Sequence, residues 1–535
     1  MRRTQRLFHQ GWFWLMSVGL VLLLLILTAC PGGDMLSPRV RIAFPGDGET
    51  VFGLVNVRVY AIDDRGIKRV DLLVDDSLVS SQTGQRDSLY QFGWDVSGYP
   101  AGSELRLRII ALDRAGNSSS SGDRRVVTFP LPGTYHTGTI SRDEWWRREN
   151  NPHYVTGNLL VEAIVAIEPG VKIIMSPGAR VTVGMRAGGG IRAMGTPVEP
   201  IHWTGTDWQG IQFLENSFPD TSILRHCVIE NVAGGAIITV SGAGVKIENC
   251  SLRSCTGDGV VCLKGGLRGF AGNVITGCAG FPLVLDADEV GSLGAGNVFA
   301  GNGRNYVQIT GGKVTSSAVW SRQALPYFVT GTVTVAGDSA PILTIAPGCS
   351  LLFADSVRLR CGAGKPGGIV ADGSLGGITF AAAGGFWPGL EFWDRTLSQT
   401  RLKYCRIENA GAGTIAAVLV YVPISITGCQ VLNSAGAGIY CIGCGFLQFE
   451  YNTVSGCARY PLHIEAPFVG TMGQGNNLGF NNAGFNFIYV PAGTITQDGV
   501  WQNHGAPYYV NGIVEVGSGL GPMLSIAPGV KIRFA

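Results

Sequence analysis

The residues with most chemical potential in this 535-residue chain are few and scattered. The stretch VLDADEV, Val284 to Val290, sets Asp286 and Asp288 two residues apart. In a strand, residues at that spacing point to one face, so the pair could bind Ca²⁺ or do acid–base work. A related stretch, HIEAPFV, keeps Glu465 in place of Asp286 but has Pro467 in place of Asp288. Asp63, Asp64, Asp113 and Asn117 offer hard oxygen ligands for Ca²⁺, and the same residue types also form turns. CIGC, Cys441 to Cys444, is a CxxC pair without the second pair that a zinc site needs. Trp208 and Trp387 could stack on sugar rings if exposed, or pack beneath loops. His153, His202, His226 and His463 align with Tyr327, Thr379, Tyr404 and Val284 in related segments, so the scaffold does not require histidine there. No catalytic constellation is expected, and Ca²⁺ is the one cofactor these residues suggest.

The elements that must position these residues repeat. GTISRDEWW from Gly138, GKVTSSAVW from Gly312 and GTITQDGVW from Gly493 open two full copies, 138–311 and 312–492, and a partial third, 493–535. Landmarks stay in register: NPHYVTG, LPYFVTG and APYYVNG, then Pro-Gly turns at Pro169, Pro347 and Pro528. WQGIQF matches WPGLEF, and HCVIEN matches YCRIEN. A finer period runs inside each copy. Ile229, Leu252, Ile275 and Phe299 recur every 23 or 24 residues, as do Ile407, Val431, Val454 and Leu478. Rungs of this length, built of short strands and tight turns without helical periodicity, indicate a solenoid. Gly-Asn pairs at Gly272, Gly296 and Gly475 suit corners that need positive φ. Cys227, Cys250, Cys262 and Cys278 match Cys405, Cys429, Cys441 and Cys457. They read as inward ladder residues, with disulfides as the alternative.

On these motifs, residues 138–535 resemble the right-handed parallel β-helix of the pectin-lyase-like superfamily. The resemblance implies an all-β fold. It also implies that an enzymatic member would cleave acidic polysaccharides, with an Asp cluster holding Ca²⁺ and a basic residue as base, or with Asp residues on adjacent rungs. No Asn-Thr-Asp, Gly-His-Gly or Arg-x-Pro-x-x-Arg string of those enzymes is present.

The first 137 residues are different material. MRRTQR precedes an apolar run, Gly11 to Ala29, long enough to span a bilayer. The run ends in LTAC, which resembles the lipobox of bacterial lipoproteins. That resemblance implies a lipoprotein signal peptide over residues 1–30, cut so that Cys30 becomes the lipidated first residue of the mature chain, hence export and membrane attachment. An uncleaved anchor helix is the alternative. After a linker, 31–37, alternating strands Val55–Asp63, Arg69–Asp75, Tyr90–Val96 and Leu105–Asp113 fit a sandwich over 38–130. AIDDRG and ALDRAGN resemble strand ends of bacterial Ig-like surface domains. A second linker, 131–137, leads to the solenoid.

Net charge is +2 and charged residues make up 15%, so no nucleic-acid partner is expected. The expected function is a non-catalytic, membrane-anchored envelope protein whose β-helix serves adhesion or binds polysaccharide or cell-surface glycan. A polysaccharide lyase or hydrolase, and a structural layer or filament component, are the rivals. The last segment, LSIAPGVKIRFA, stops within a strand without a cap, which suggests a longer repeat protein or a covering partner.

Overall fold

The computed structural model describes residues 35–535, apart from 85–87, 97, 100–101, 129–132, 240–241, 265, 483 and 518–520. The predicted leader and Cys30 lie outside the described residues. The chain divides into two compact units, Met1–Pro132 and Gly133–Ala535.

In the first unit, strands alternate inward apolar with outward polar residues. Leu54–Ile62 buries Val55, Val57, Val59 and Ala61, and leaves Asn56, Arg58 and Tyr60 on its other side. One antiparallel sheet joins Arg39–Phe44, Leu54–Ile62 and Leu89–Asp95. The other joins Glu49–Val51, Arg124–Thr128, Glu104–Asp113, Ile67–Val74 and Ser77–Thr83. Tyr90, Phe92 and Trp94 from the first sheet meet Leu72, Leu107 and Ile109 from the second in one core. Burying each such side chain contributes roughly 1.5–3 kcal/mol.

The second unit is a parallel β-solenoid with three faces. In the first copy, the first face carries Lys172–Met175, Ile201–Gly205, Cys227–Val232, Ser251–Cys255, Val274–Thr276 and Val298–Ala300. The second carries Val181–Val183, Ile211–Phe213, Ile237–Thr239, Val260–Cys262, Leu283–Leu285 and Val307–Ile309. The third carries Ile164–Ile167, Gly190–Met194, Ile223–Arg225, Val245–Glu248 and Leu267–Ala271. Ile229, Leu252, Ile275 and Phe299 lie opposite one another in sequence, as the period requires. The solenoid opens at Thr134, inside the stretch read as a linker, because Thr134–Ile140 pairs in parallel with His153–Val161.

Two corner features explain the composition. One residue per rung at the corner between third and first faces adopts positive φ. In the first copy these are His226, Asn249, Gly272 and Gly296. The next residue points inward and receives a backbone N–H from the neighbouring rung. Asn273 accepts from Cys250 N at 2.9 Å and donates to Ile247 O at 2.9 Å. Asn452 does the same with Cys429 N and Ile426 O, at 2.9 and 2.8 Å. One rung earlier the same place is filled by sulfur: Cys227 N donates to Cys250 Sγ, and Cys405 N to Cys429 Sγ, each at 3.4 Å. Cysteine and asparagine therefore share one ladder. All twelve described cysteines are buried and free of disulfides, and Cys227, Cys250, Cys405 and Cys429 lie in this ladder.

The copies do not continue face upon face. Val307–Ile309 ends the second face of the first copy, where it pairs with Leu283–Leu285. On its other edge it pairs with Tyr327–Val329, which opens the first face of the second copy. Ile488–Ile495 repeats the step, pairing with Leu462–His463 and with Tyr508–Val516. At each junction the sequence repeat moves sideways by one face while the backbone ladder runs on.

Candidate functional site

Asp286 and Asp288 line one cleft of about 490 Å³ with Lys264, Glu289, Thr310 and Lys313. They do not share a strand face, which corrects the expectation from their spacing. The strand Leu283–Leu285 is three residues long, and the chain has already turned at Asp286. Asp286 accepts Lys264 N at 2.5 Å and Thr310 Oγ1 at 2.6 Å. Asp288 accepts Thr315 N and Thr315 Oγ1 at 3.0 and 2.8 Å. In the second copy Glu465 accepts Gly443 N at 2.9 Å, the bond that Asp286 makes to Lys264. The position therefore closes a turn in both copies. Glu289, unnoticed in the sequence, is buried and accepts Leu267 N at 2.9 Å. Burial raises its pKa, and the Asp288 and Asp286 charges add to that.

The sandwich candidates separate. Asp113 is fully buried and accepts the N–H groups of Gly116 and Asn117 at 2.6 and 2.8 Å, and Asn117 Nδ2 at 2.8 Å. Burial opposes ionisation, yet donation from the Asn117 side chain and the backbone of Asn117, Gly116 and Ala115 holds the carboxyl below its ordinary range. Asp63 accepts Arg65 N at 2.9 Å, closing its own turn. Asp64 joins no cluster: among the described residues no group of three His, Cys, Asp or Glu could hold a metal ion.

Trp208 and Trp387 are both fully buried, which removes them as sugar-stacking residues. Their indole N–H groups donate to Glu230 O and Glu408 O at 2.9 and 3.1 Å, and Trp387 stacks on Phe353 at 4.0 Å. An inward Trp suits these rungs because its polar edge reaches a main-chain carbonyl. Burial pushes the thiols of Cys262 and Cys361 up to about 12 and that of Cys457 up to about 11, whereas hydrogen bonding to Cys255 and to Cys441 lowers those of Cys278 and Cys444. Burial also pushes Cys441 of the CxxC pair well up. His153 is structural: it meets Arg147 O at 2.9 Å, as the hydroxyls of Tyr327 and Tyr508 meet Ser321 O and Gln502 O at 2.5 and 2.7 Å.

What the sequence reading missed is an outward aromatic series on the second face of the second copy. Tyr440, His463, Tyr489 and Tyr509 lie opposite one another on successive strands. Tyr440 and His463 stack at 3.8 Å and 7°, His463 and Tyr489 at 5.3 Å and 18°. Tyr460 stacks on Tyr489 at 5.0 Å, and Phe487 leans on Tyr509 at 4.8 Å. His463 Nδ1 lies 3.2 Å from Cys441 O, and burial lowers its pKa, which keeps the ring neutral between its neighbours. Val261, Val284 and Gln308 of the first copy, and Phe328 at the start of the second, hold the matching places. The signal was present in IYC, LHI, IYV and YYV, each an outward aromatic between two inward residues.

Residues 38–104 match the model of the bacterial Ig domain family. The N-terminal unit is a bacterial Ig domain. Among solved structures, this chain is similar to the fibronectin(III)-like modules of Clostridium thermocellum CbhA. That likeness has 20% identity over 17% of this chain and 98% of that chain, with a TM-score of 0.15. An endo-beta-1,4-mannanase from Thermotoga petrophila is 17% identical over 19% of this chain and 22% of its own length, with a TM-score of 0.15. Pectate lyase Pel3 from Pectobacterium carotovorum is 11% identical over 72% of this chain and 99% of that chain, with a TM-score of 0.13. No curated protein matches the chain.

Proposed function

We propose that this chain is an exported envelope protein, attached to a membrane through lipid on Cys30, whose β-solenoid binds glycans and does not cleave them. The outward aromatic series from Tyr440 to Tyr509 carries the reading. The partly exposed edges of Tyr440, Tyr489 and Tyr509 offer apolar surface with a polar tip, the mixture that a sugar polymer presents in return, and His463 is buried between them. The carboxylates support binding over cleavage, since Asp286 and Glu465 perform the same turn-closing task in both copies. The Ig domain serves as a spacer or accessory binding module.

A second reading, a lyase or hydrolase acting on acidic glycans, draws on one observation. Glu289 is a buried carboxyl with a raised pKa beside Asp286 and Asp288, in a cleft that also holds Lys264 and Lys313. Incubation with uronic-acid polymers, with and without Ca²⁺, separates the two readings. No chain shortening is expected under either condition. Ca²⁺-dependent cleavage that disappears in Asp286→Ala plus Asp288→Ala would overturn the non-catalytic reading. Cys30→Ala is expected to release the chain from membranes, as read by fractionation.

A further inference from the structure

The positive-φ corner of the second copy holds Tyr404, Gly428, Tyr451 and Gly475, where the first copy holds His226, Asn249, Gly272 and Gly296. Glycine and asparagine accept this backbone readily, and a bulky aromatic residue does not. Tyr404 and Tyr451 nevertheless adopt φ of 49° and 57°. The fold does not ask for tyrosine here, since glycine serves on the alternate rungs. Each ring lies over the glycine of the following rung. A Cβ on Gly428 would fall 2.7 Å from Tyr404 Cε1, and one on Gly475 would fall 2.4 Å from Tyr451 Cδ1. Tyr404 and Tyr451 remain 53% and 58% exposed. On the second face, by contrast, rings stack on rings and present chiefly their edges.

The spacing is set by the ladder. Arg406, Gln430 and Thr453 are successive partners, so the two tyrosines stand two strand spacings apart, about 9.6 Å. An extended β-1,4-linked chain turns alternate residues over, so every second sugar offers the same ring face at about this repeat. The flanks are polar and balanced in charge. Lys403 lies over Tyr404 and 3.8 Å from Asp372, Arg406 pairs with Glu408 at 2.5 Å, and Gln474 Nε2 donates to the Tyr451 hydroxyl at 2.9 Å. With its cations paired, the corner matches an uncharged polymer better than an acidic one.

We propose that Tyr404 and Tyr451 form a stacking site for a neutral β-1,4-linked polysaccharide laid along the solenoid axis, with alternate sugars on the two rings. This rests on the glycan-binding reading and names its ligand class. The test uses the full chain in pull-down isotherms on cellulose and chitin, with amylose and pectate as comparison polymers. Tyr404→Gly and Tyr451→Gly are the variants, since glycine is native to this corner and keeps the fold. Binding to a β-1,4-linked polymer is expected to weaken roughly tenfold with each loss. The denaturation midpoint is expected not to fall, and Tyr→Phe is expected to restore binding. Equal affinity for amylose or pectate would overturn the ligand class. Binding that survives both glycine variants but fails in Tyr440→Ala plus Tyr489→Ala would overturn this site and leave the glycan reading standing. No retention on any polymer would overturn both.

Discussion

At the residue scale, the ladder positions carry the clearest consequences. Asn273 and Asn452 each satisfy a backbone N–H and a backbone carbonyl of the preceding rung inside the core. Asn452→Ala leaves a buried N–H and a buried carbonyl without partners, at about 1–3 kcal/mol each. A drop of about 2–5 kcal/mol in unfolding free energy is expected from denaturant titration, and Asn273→Ala should match it. The histidines give a pH dependence. Burial, with the neighbouring His153, pushes His136 down to about 4, and burial alone pushes His504 down to about 4. Burial also lowers His153 and His463. Folding therefore excludes protons that the unfolded chain would bind, so this stability is complete above about pH 6.5. It declines as the pH falls from there towards 4, and thermal midpoints recorded across that interval check it. The Gly-Asn corners were readable because only a few residue types tolerate positive φ. That cysteine and asparagine occupy one ladder was not, because residue type alone does not reveal which backbone donor a side chain meets.

At the element scale, the short strands and their period were legible, and the direction of each tryptophan was not. Trp208 and Trp387 occur at matching places in two copies, which fits a core role and a surface role alike. Only the three-residue length of the strands beside the cleft, and the pairing on either side, decides which side chains face in. Trp387→Ala is expected to cost about 3–5 kcal/mol through a core cavity, and Trp208→Ala a similar amount, measured by chemical denaturation. Asp286 and Asp288 failed as a pair for a related reason. Alternation predicts a shared face only while the strand continues, and this strand ends one residue before Asp286.

At the scale of the whole molecule, the Ig domain and the solenoid each enclose their own core. Within the solenoid, the 21-stranded sheet crosses from the first copy into the second without a break. Nearest-neighbour coupling through that sheet should make both copies unfold together. Calorimetry is expected to show one transition for the solenoid, and separate transitions for the two copies would contradict the coupling. The sequence by itself determined the sandwich, the solenoid and the rung length, because each rests on local periodicity and on residue types that only certain backbones accept. The sideways step at each junction, the burial of both tryptophans and the exposed rings of the second copy were decided by tertiary structure alone. Those depend on which strand lies beside which at a junction and on how the chain turns between strands, and a repeat period alone specifies neither.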